Sequence, residues 1–174
     1  MFVTLNFRHI AIAVLAVLSL AFAGAADAAT KKATVGPVSL EVPDDFKAIA
    51  GQIPSIRQDA SGITIEVSEL PPEALHEFKG TQFLEFLASL GYANAAYADG
   101  GLKRTDPHTY VLADAKGAEG PESRFLLVIG GEGRAAIVTA YALKSEISAG
   151  HASRAAIETI LDTASMLPTA ASKP

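Results

Sequence analysis

Four histidines and a scatter of carboxylates are the residues from which acid–base or metal chemistry would have to be built. His9 lies in the N-terminal stretch. His76 stands in Glu73-Ala74-Leu75-His76-Glu77 and lacks the second histidine, one helical turn away, that a helical zinc motif requires. It reads as a surface helix residue. His151 follows Gly150 near the start of the last helix and has no nearby acidic partner in this reading. His108 is the most informative, in Lys103-Arg104-Thr105-Asp106-Pro107-His108-Thr109-Tyr110. A cation, an anion and an imidazole at alternate positions of an irregular loop can orient a small polar ligand. Arg104, Asp106 and His108 are therefore the candidate ligand-binding residues. The plainer alternative is a solvated loop in which Asp106-Pro107 makes a turn.

The other motifs give no catalytic residue. No serine sits in a Gly-x-Ser-x-Gly elbow. Gly130-Gly131-Glu132-Gly133 precedes a strand-like run without a lysine–serine pair, so it reads as a hairpin and not as a phosphate loop. Asp44-Asp45 with Glu41, and Asp99-Gly100-Gly101, fall short of a calcium loop. With no cysteine there is no disulfide and no thiolate metal site. No metal and no cofactor is assigned. Tyr92, Tyr97 and Tyr110 bracket the irregular middle and could form an aromatic surface or cover a sheet edge.

The elements that must position these residues follow from periodicity. Val38-Ser39-Leu40-Glu41-Val42 alternates as a half-buried strand and ends at Pro43-Asp44-Asp45. Residues 55–59 form a short strand, Asp59-Ala60-Ser61-Gly62 a hairpin turn, and Ile63-Thr64-Ile65-Glu66-Val67 the clearest strand, with Ile63, Ile65 and Val67 inward. Residues 81–90 read as an amphipathic helix. Thr81 is its N-cap, Phe83, Leu84, Leu87 and Leu90 its core stripe, and Gly91 its stop. Residues 74–78 add a preceding turn or short helix. The stretch 92–108 is irregular. Strands follow at 110–115, 124–129 and 134–143, the last with alanines at 136, 140 and 142 that suggest a face crowded by a helix. Ser145 and Ser148 look like caps and turn residues. Residues 153–165 form a final helix capped by Ser153, with Ile157, Ile160, Leu161 and Ala164 on one stripe. Consecutive hairpins make the sheet largely antiparallel, and two one-sided helices both need it. The fold class is α+β, an antiparallel β-sheet flanked by helices.

The first 28 residues carry one firm cation, Arg8, then 15 apolar or small residues at 10–24, then Ala26-Asp27-Ala28. That order is a cleavable export signal; a spanning helix needs about 20 apolar residues. Cleavage before Ala29 leaves 146 of the 174 residues. These divide into a mobile lead-in at 29–34, one domain at 35–168 and a disordered tail at 169–174. Processing removes one cation and one anion, so the net charge stays at −5. A mildly acidic surface argues against nucleic acid, which demands a basic face, and against anionic lipid. No membrane insertion of the mature chain is expected.

The strand-turn run from Val38 to Phe46, the strand 63–67 leading into a helix, and the ending (strand 125–129, glycine loop, strand 135–143, helix holding Ile157-Glu158-Thr159-Ile160-Leu161) together resemble the PsbP-like superfamily. That group holds extrinsic photosystem II subunits, a eukaryotic Ran-binding import factor and bacterial periplasmic PsbP/DcrB-like proteins. The resemblance spans about residues 35–167. It departs at Phe46, where the family's opening motif has tryptophan, and at 92–108. It implies an α-β-α sandwich with a binding or assembly role, and it carries no catalytic residue to transfer.

The expected function is that of a bacterial periplasmic or secreted, non-enzymatic binding or accessory protein engaging an envelope protein or component. The alternative is a small-ligand or metal sensor or carrier using the 92–110 loop, and the third reading is an uncommon hydrolase. Oligomeric state is left open.

Overall fold

A computed structural model describes residues 29–73, 78, 80–98, 100–131 and 133–168. The expected signal segment, the 169–174 tail, His76 with most of the 74–78 turn, and Asp99 lie outside the described residues.

The strands are β1 (Thr30–Val35), β2 (Val38–Pro43), β3 (Phe46–Ile49), β4 (Ser55–Gln58), β5 (Thr64–Leu70), β6 (Ala93–Tyr97), β7 (His108–Lys116), β8 (Pro121–Gly131), β9 (Arg134–Leu143) and β10 (Ser165–Met166). The helices are α1 (Gly80–Ser89), α2 (Lys144–Ala149) and α3 (Arg154–Asp162). A seven-stranded sheet runs β3-β4-β5-β9-β8-β7-β6, and a three-stranded sheet runs β1-β2-β10. Every pairing is antiparallel. Among the described residues no helix is long and apolar enough to cross a membrane.

Period-2 patterning sorts the large sheet into two faces. On the inner face Ile63, Ile65, Val67, Leu127 and Val138 pack with Ile157, Ile160 and Leu161 of α3 and with Val38, Leu40 and Val42 of the small sheet. Ala136, Ala140 and Ala142 are buried there, and their small side chains let α3 approach β9, as the sequence suggests. On the outer face Phe83 and Leu87 of α1 cover Val111, Ala113, Leu126 and Val128. Each fully buried leucine, isoleucine or phenylalanine contributes about 1.5–3 kcal/mol. With helices on both faces, the fold is the expected α-β-α sandwich. Ser153 caps α3 as expected, accepting the Ala156 N–H at 3.1 Å.

Several local expectations are corrected. Residues 30–35 are not a lead-in but β1, hydrogen-bonded along β2 through the tight turn at Gly36, whose φ is +55°. One side of β1 is solvated, so no alternation betrays it. The irregular middle contains β6, which carries a bulge and an Asn94 at φ +53°. Ser145 and Ser148 lie inside α2, a short helix that closes on Gly150. Thr81 falls within α1, which begins at Gly80. Leu90 is 59% exposed and does not belong to the core stripe. It follows the last helical residue, and Gly91, at φ +88°, turns the chain away.

Candidate functional site

Two regions concentrate polar side chains, and the chain reaches them differently.

The first is the loop leading into β7. Arg104 Nη1 donates to the carbonyls of Leu161 (3.0 Å), Asp162 (3.3 Å) and Ala164 (2.7 Å), the last carbonyls of α3 and the residue beyond them. A cation there meets the negative end of the helix dipole as well as carbonyls left without intrahelical partners. Its Nη2 pairs with Asp106 Oδ2 at 2.5 Å, and the side chain is only 6% exposed. The Lys103 N–H adds a bond to Asp162 Oδ1 at 2.7 Å. Burial resists the charge of Asp106, but the Arg104 hydrogen bond and charge outweigh it and hold the carboxyl below its ordinary pKa. His108 Nδ1 lies 2.8 Å from the Asp106 carbonyl oxygen, a geometry that suits an Nδ1–H donor and leaves Nε2 as the other ring nitrogen. The tertiary structure thus brings all three predicted residues together. Arg104 and His108 also border a cavity of about 640 Å³, whose wall includes Tyr97, Leu102 and Tyr110. Tyr110 donates its hydroxyl to Glu158 Oε1 at 3.1 Å; burial first, then the Glu158 charge, raises its pKa well above the usual phenol range.

The second region is the part of the outer sheet face that α1 leaves bare. Register places Arg57, Thr64, Tyr141 and Arg124 side by side across β4, β5, β9 and β8. Arg124 Nε and Nη2 donate to Glu122 Oε2 at 3.0 and 2.6 Å. The guanidinium carbon lies 4.4 Å from the centroid of the Tyr141 ring and 5.8 Å from that of Tyr92. Cation–π attraction and two hydrogen bonds to one carboxylate oxygen therefore fix one side chain from two directions. Burial opposes the Arg124 charge, yet the Glu122 hydrogen bond and charge carry its pKa above the ordinary value. Tyr141 donates to Glu66 Oε1 at 2.8 Å, and burial, reinforced by that bond, pushes its pKa up to about 12. Arg57 reaches Glu119 only at 3.8 Å and is 40% exposed on its side chain. Arg57, Thr64, Glu119, Glu122, Arg124 and Tyr141 line a cavity of about 450 Å³.

Chemically this second region offers paired, fixed polar groups. Arg124 stays charged and Tyr141 stays protonated across the neutral range, so neither exchanges a proton there. Among the described residues no cluster of three or more histidines or carboxylates could hold a metal ion. Sequence reading missed this site because its members come from four strands. The available signal was a change within β8, where Glu122 and Arg124 give way to Leu126 and Val128 on the same face. That switch marks where α1 stops covering the sheet. His151, read as lacking an acidic partner, pairs with Glu146 Oε2 at 2.8 Å, because α2 turns back on Gly150 and brings the two together.

No family model and no curated protein sequence matches the chain. Solved structures do. Cyanobacterial PsbP (CyanoP) from Synechocystis superposes with a TM-score of 0.54 at 10% identity, covering 83% of this chain and 96% of that one. The Ran-binding protein Mog1p of Saccharomyces cerevisiae superposes with a TM-score of 0.51 at 10% identity, covering 79% and 95%. LpqN of Mycobacterium tuberculosis, a protein involved in cell envelope biogenesis, gives 0.46 at 17% identity over 80% and 91%.

Proposed function

Starting from the PsbP-like fold that this chain has, we propose that it is an exported, non-enzymatic accessory protein that binds a protein partner of the bacterial envelope through the bare outer face of its large sheet. The observation that carries this reading is the row Arg57, Thr64, Tyr141 and Arg124. It is a mixed-charge surface on a sheet, with the arginine at one end, Arg124, held between the Glu122 carboxylate and the Tyr141 ring. Rigid polar groups that are already paired suit recognition of a complementary surface at little entropic cost. The fold also carries a Ran-binding protein, so protein recognition is within its repertoire. The N-terminal segment supports export, with cleavage before Ala29.

The test is site-specific photocrosslinking in cells, with the crosslinker at Arg57 or Glu119 and, as a control, at Arg154 on α3. One dominant envelope protein captured from the first two positions and not from the third is the expected result. No capture above background from any position would remove the reading. N-terminal sequencing of the same material should begin at Ala29.

The cavity bordered by Arg104 and His108 favours a second reading, a carrier or sensor of a small polar ligand. Thermal stabilisation by a metabolite or metal, lost in His108→Ala, would support it. A ligand screen that moves neither protein would end it.

A further inference from the structure

The two edges of the large sheet are finished differently. At β6 the register breaks between Ala93 and Ala96, Asn94 adopts a positive φ, and α1 packs beside the strand. An edge so bent and covered resists a further strand. β3 pairs with β4 in unbroken register, and among the described residues no strand lies on its other side.

Backbone bonds show which groups of β3 face outward. The Gln58 N–H donates to the Ile63 carbonyl and the Gln58 carbonyl accepts the Gly62 N–H, both at 2.9 Å. Gln58 therefore turns its peptide groups away from β3. Alternation along an antiparallel ladder makes Lys47 with Arg57, and Ile49 with Ser55, the hydrogen-bonded pairs. The N–H and C=O of Phe46 and Ala48 then point out of the sheet. The Phe46 carbonyl accepts Lys31 Nζ at 2.7 Å, as that orientation requires. Among the described residues, Ala48 is left as an open donor and acceptor at the centre of the edge.

Side chains around that edge are unusual for a free surface. Ile49 and Ile53 are 41% and 47% exposed, and they are two of the four large hydrophobic residues exposed among the described residues. A cavity of about 500 Å³ opens beside Lys47, Ala48, Ile49 and Arg57. Lys47 and Arg57 are direct cross-strand neighbours, a like-charge pair that costs stability. Asp59, 3.0 Å from Lys47, is itself 71% exposed and offsets that cost only in part.

We propose that β3 is a docking edge for an extended segment of a partner protein, which adds as a further strand and sets an acidic side chain opposite Lys47 and an apolar one opposite Ile49. Main-chain bonds to Ala48 supply affinity, and an acidic and an apolar side chain two residues apart, on one face of the added strand, supply specificity. The like-charge neighbours Lys47 and Arg57 call for the acid, and the exposed isoleucines call for the apolar residue. A second copy of the chain fits less well. Two β3 edges paired with each other would set Lys47 or Ile49 of one copy against the same residue types of the other. Each copy also brings the same Lys47 and a net charge of −5. The proposal rests on the accessory-protein reading above and narrows its partner.

The probe is a fluorescein-labelled peptide of repeating glutamate-threonine-valine-threonine, which sets acid and apolar side chains in turn along one strand face, titrated into the exported chain and followed by anisotropy. Saturable binding is expected, lost when alternate peptide nitrogens are methylated. Ala48→Pro should weaken it at least about tenfold, because proline removes the outward N–H, a change that edge strands tolerate. If Ala48→Pro fails to fold, Lys47→Glu decides the matter: it should reject the glutamate peptide and accept one in which lysine replaces each glutamate. No saturable binding to the wild type at millimolar peptide overturns the proposal, as does equal binding by Ala48→Pro. A concentration-dependent dimer that Ala48→Pro abolishes also overturns it, in favour of a second copy. Full retention of a crosslinked envelope partner by Ala48→Pro would sink this edge and leave the accessory reading standing.

Discussion

The carboxylate of Glu122 occupies the space that a side chain on Gly117 would need: a Cβ built there would overlap Glu122 Oε1. The glycine in the β7–β8 hairpin is thus what lets Glu122 lie inward, 6% exposed, and hold Arg124. Backbone freedom is not its role; its φ is not in the left-handed region.

Gly117→Ala should therefore drive the end of Glu122 outward and strip Arg124 of its partner. Losing a hydrogen-bonded charge pair that is largely buried costs about 1–3 kcal/mol. Urea unfolding should show this loss. Glu122→Gln in the same background should add much less than it does alone. Additive losses would show that the glycine and the carboxylate act separately.

Arg104→Met should destabilise the chain by about 2–3 kcal/mol, because three carbonyls at the end of α3 lose one buried cation. Arg104→Lys should recover part of it. Thermal unfolding distinguishes this from a purely ligand-binding role, in which both variants would melt like the wild type.

Stability should fall at alkaline pH through the tyrosines. The folded pKa of Tyr141, about 12, lies above the ordinary phenol value of 10.0. The neutral phenol is thus the form that folding favours. That contribution is complete below pH 10 and is lost as pH rises towards 12. Tyr110 is shifted in the same direction. The double variant Tyr110→Phe with Tyr141→Phe should flatten this limb of the pH–stability curve. An unchanged slope would place the alkaline loss elsewhere.

The carboxyl of Asp106 gives the opposite sign. Its folded pKa is depressed, so its contribution is present above the unfolded value near 3.8 and vanishes as pH drops through the lower folded one. Asp106→Asn should reduce the acid sensitivity of the melt while leaving the alkaline limb unchanged.

Leu87→Ala and Leu90→Ala should part company. Leu87 is 2% exposed under α1 and its truncation should cost about 2–5 kcal/mol. Leu90 is 59% exposed, and its loss should stay within about 0.5 kcal/mol. Equal losses would place Leu90 in the core after all.

Local rules made much of the fold legible. β9 has the bounds that its hydrophobic run predicts, Ser153 caps α3, and Ile63, Ile65 and Val67 face inward. Each of these follows from one segment's own periodicity or capping chemistry. β1, β6 and α2 were missed because their patterns are solvated, bulged or short, and only their neighbours hold them.

The candidate sites divide along the same line. By itself the sequence determined an α+β chain without cysteine, with an acidic balance and no catalytic motif, and it picked out Arg104, Asp106 and His108 as neighbours in one loop. Only the tertiary structure decided that Arg104 reaches across 57 residues to close α3. It alone set Arg57, Tyr141 and Arg124 in one row, drawn from strands whose pairing no single segment encodes. The reason is physical. Period and capping act over a few residues along the chain, whereas sheet register, cross-strand charge and the limit of a helix's cover arise only when distant segments bury one another.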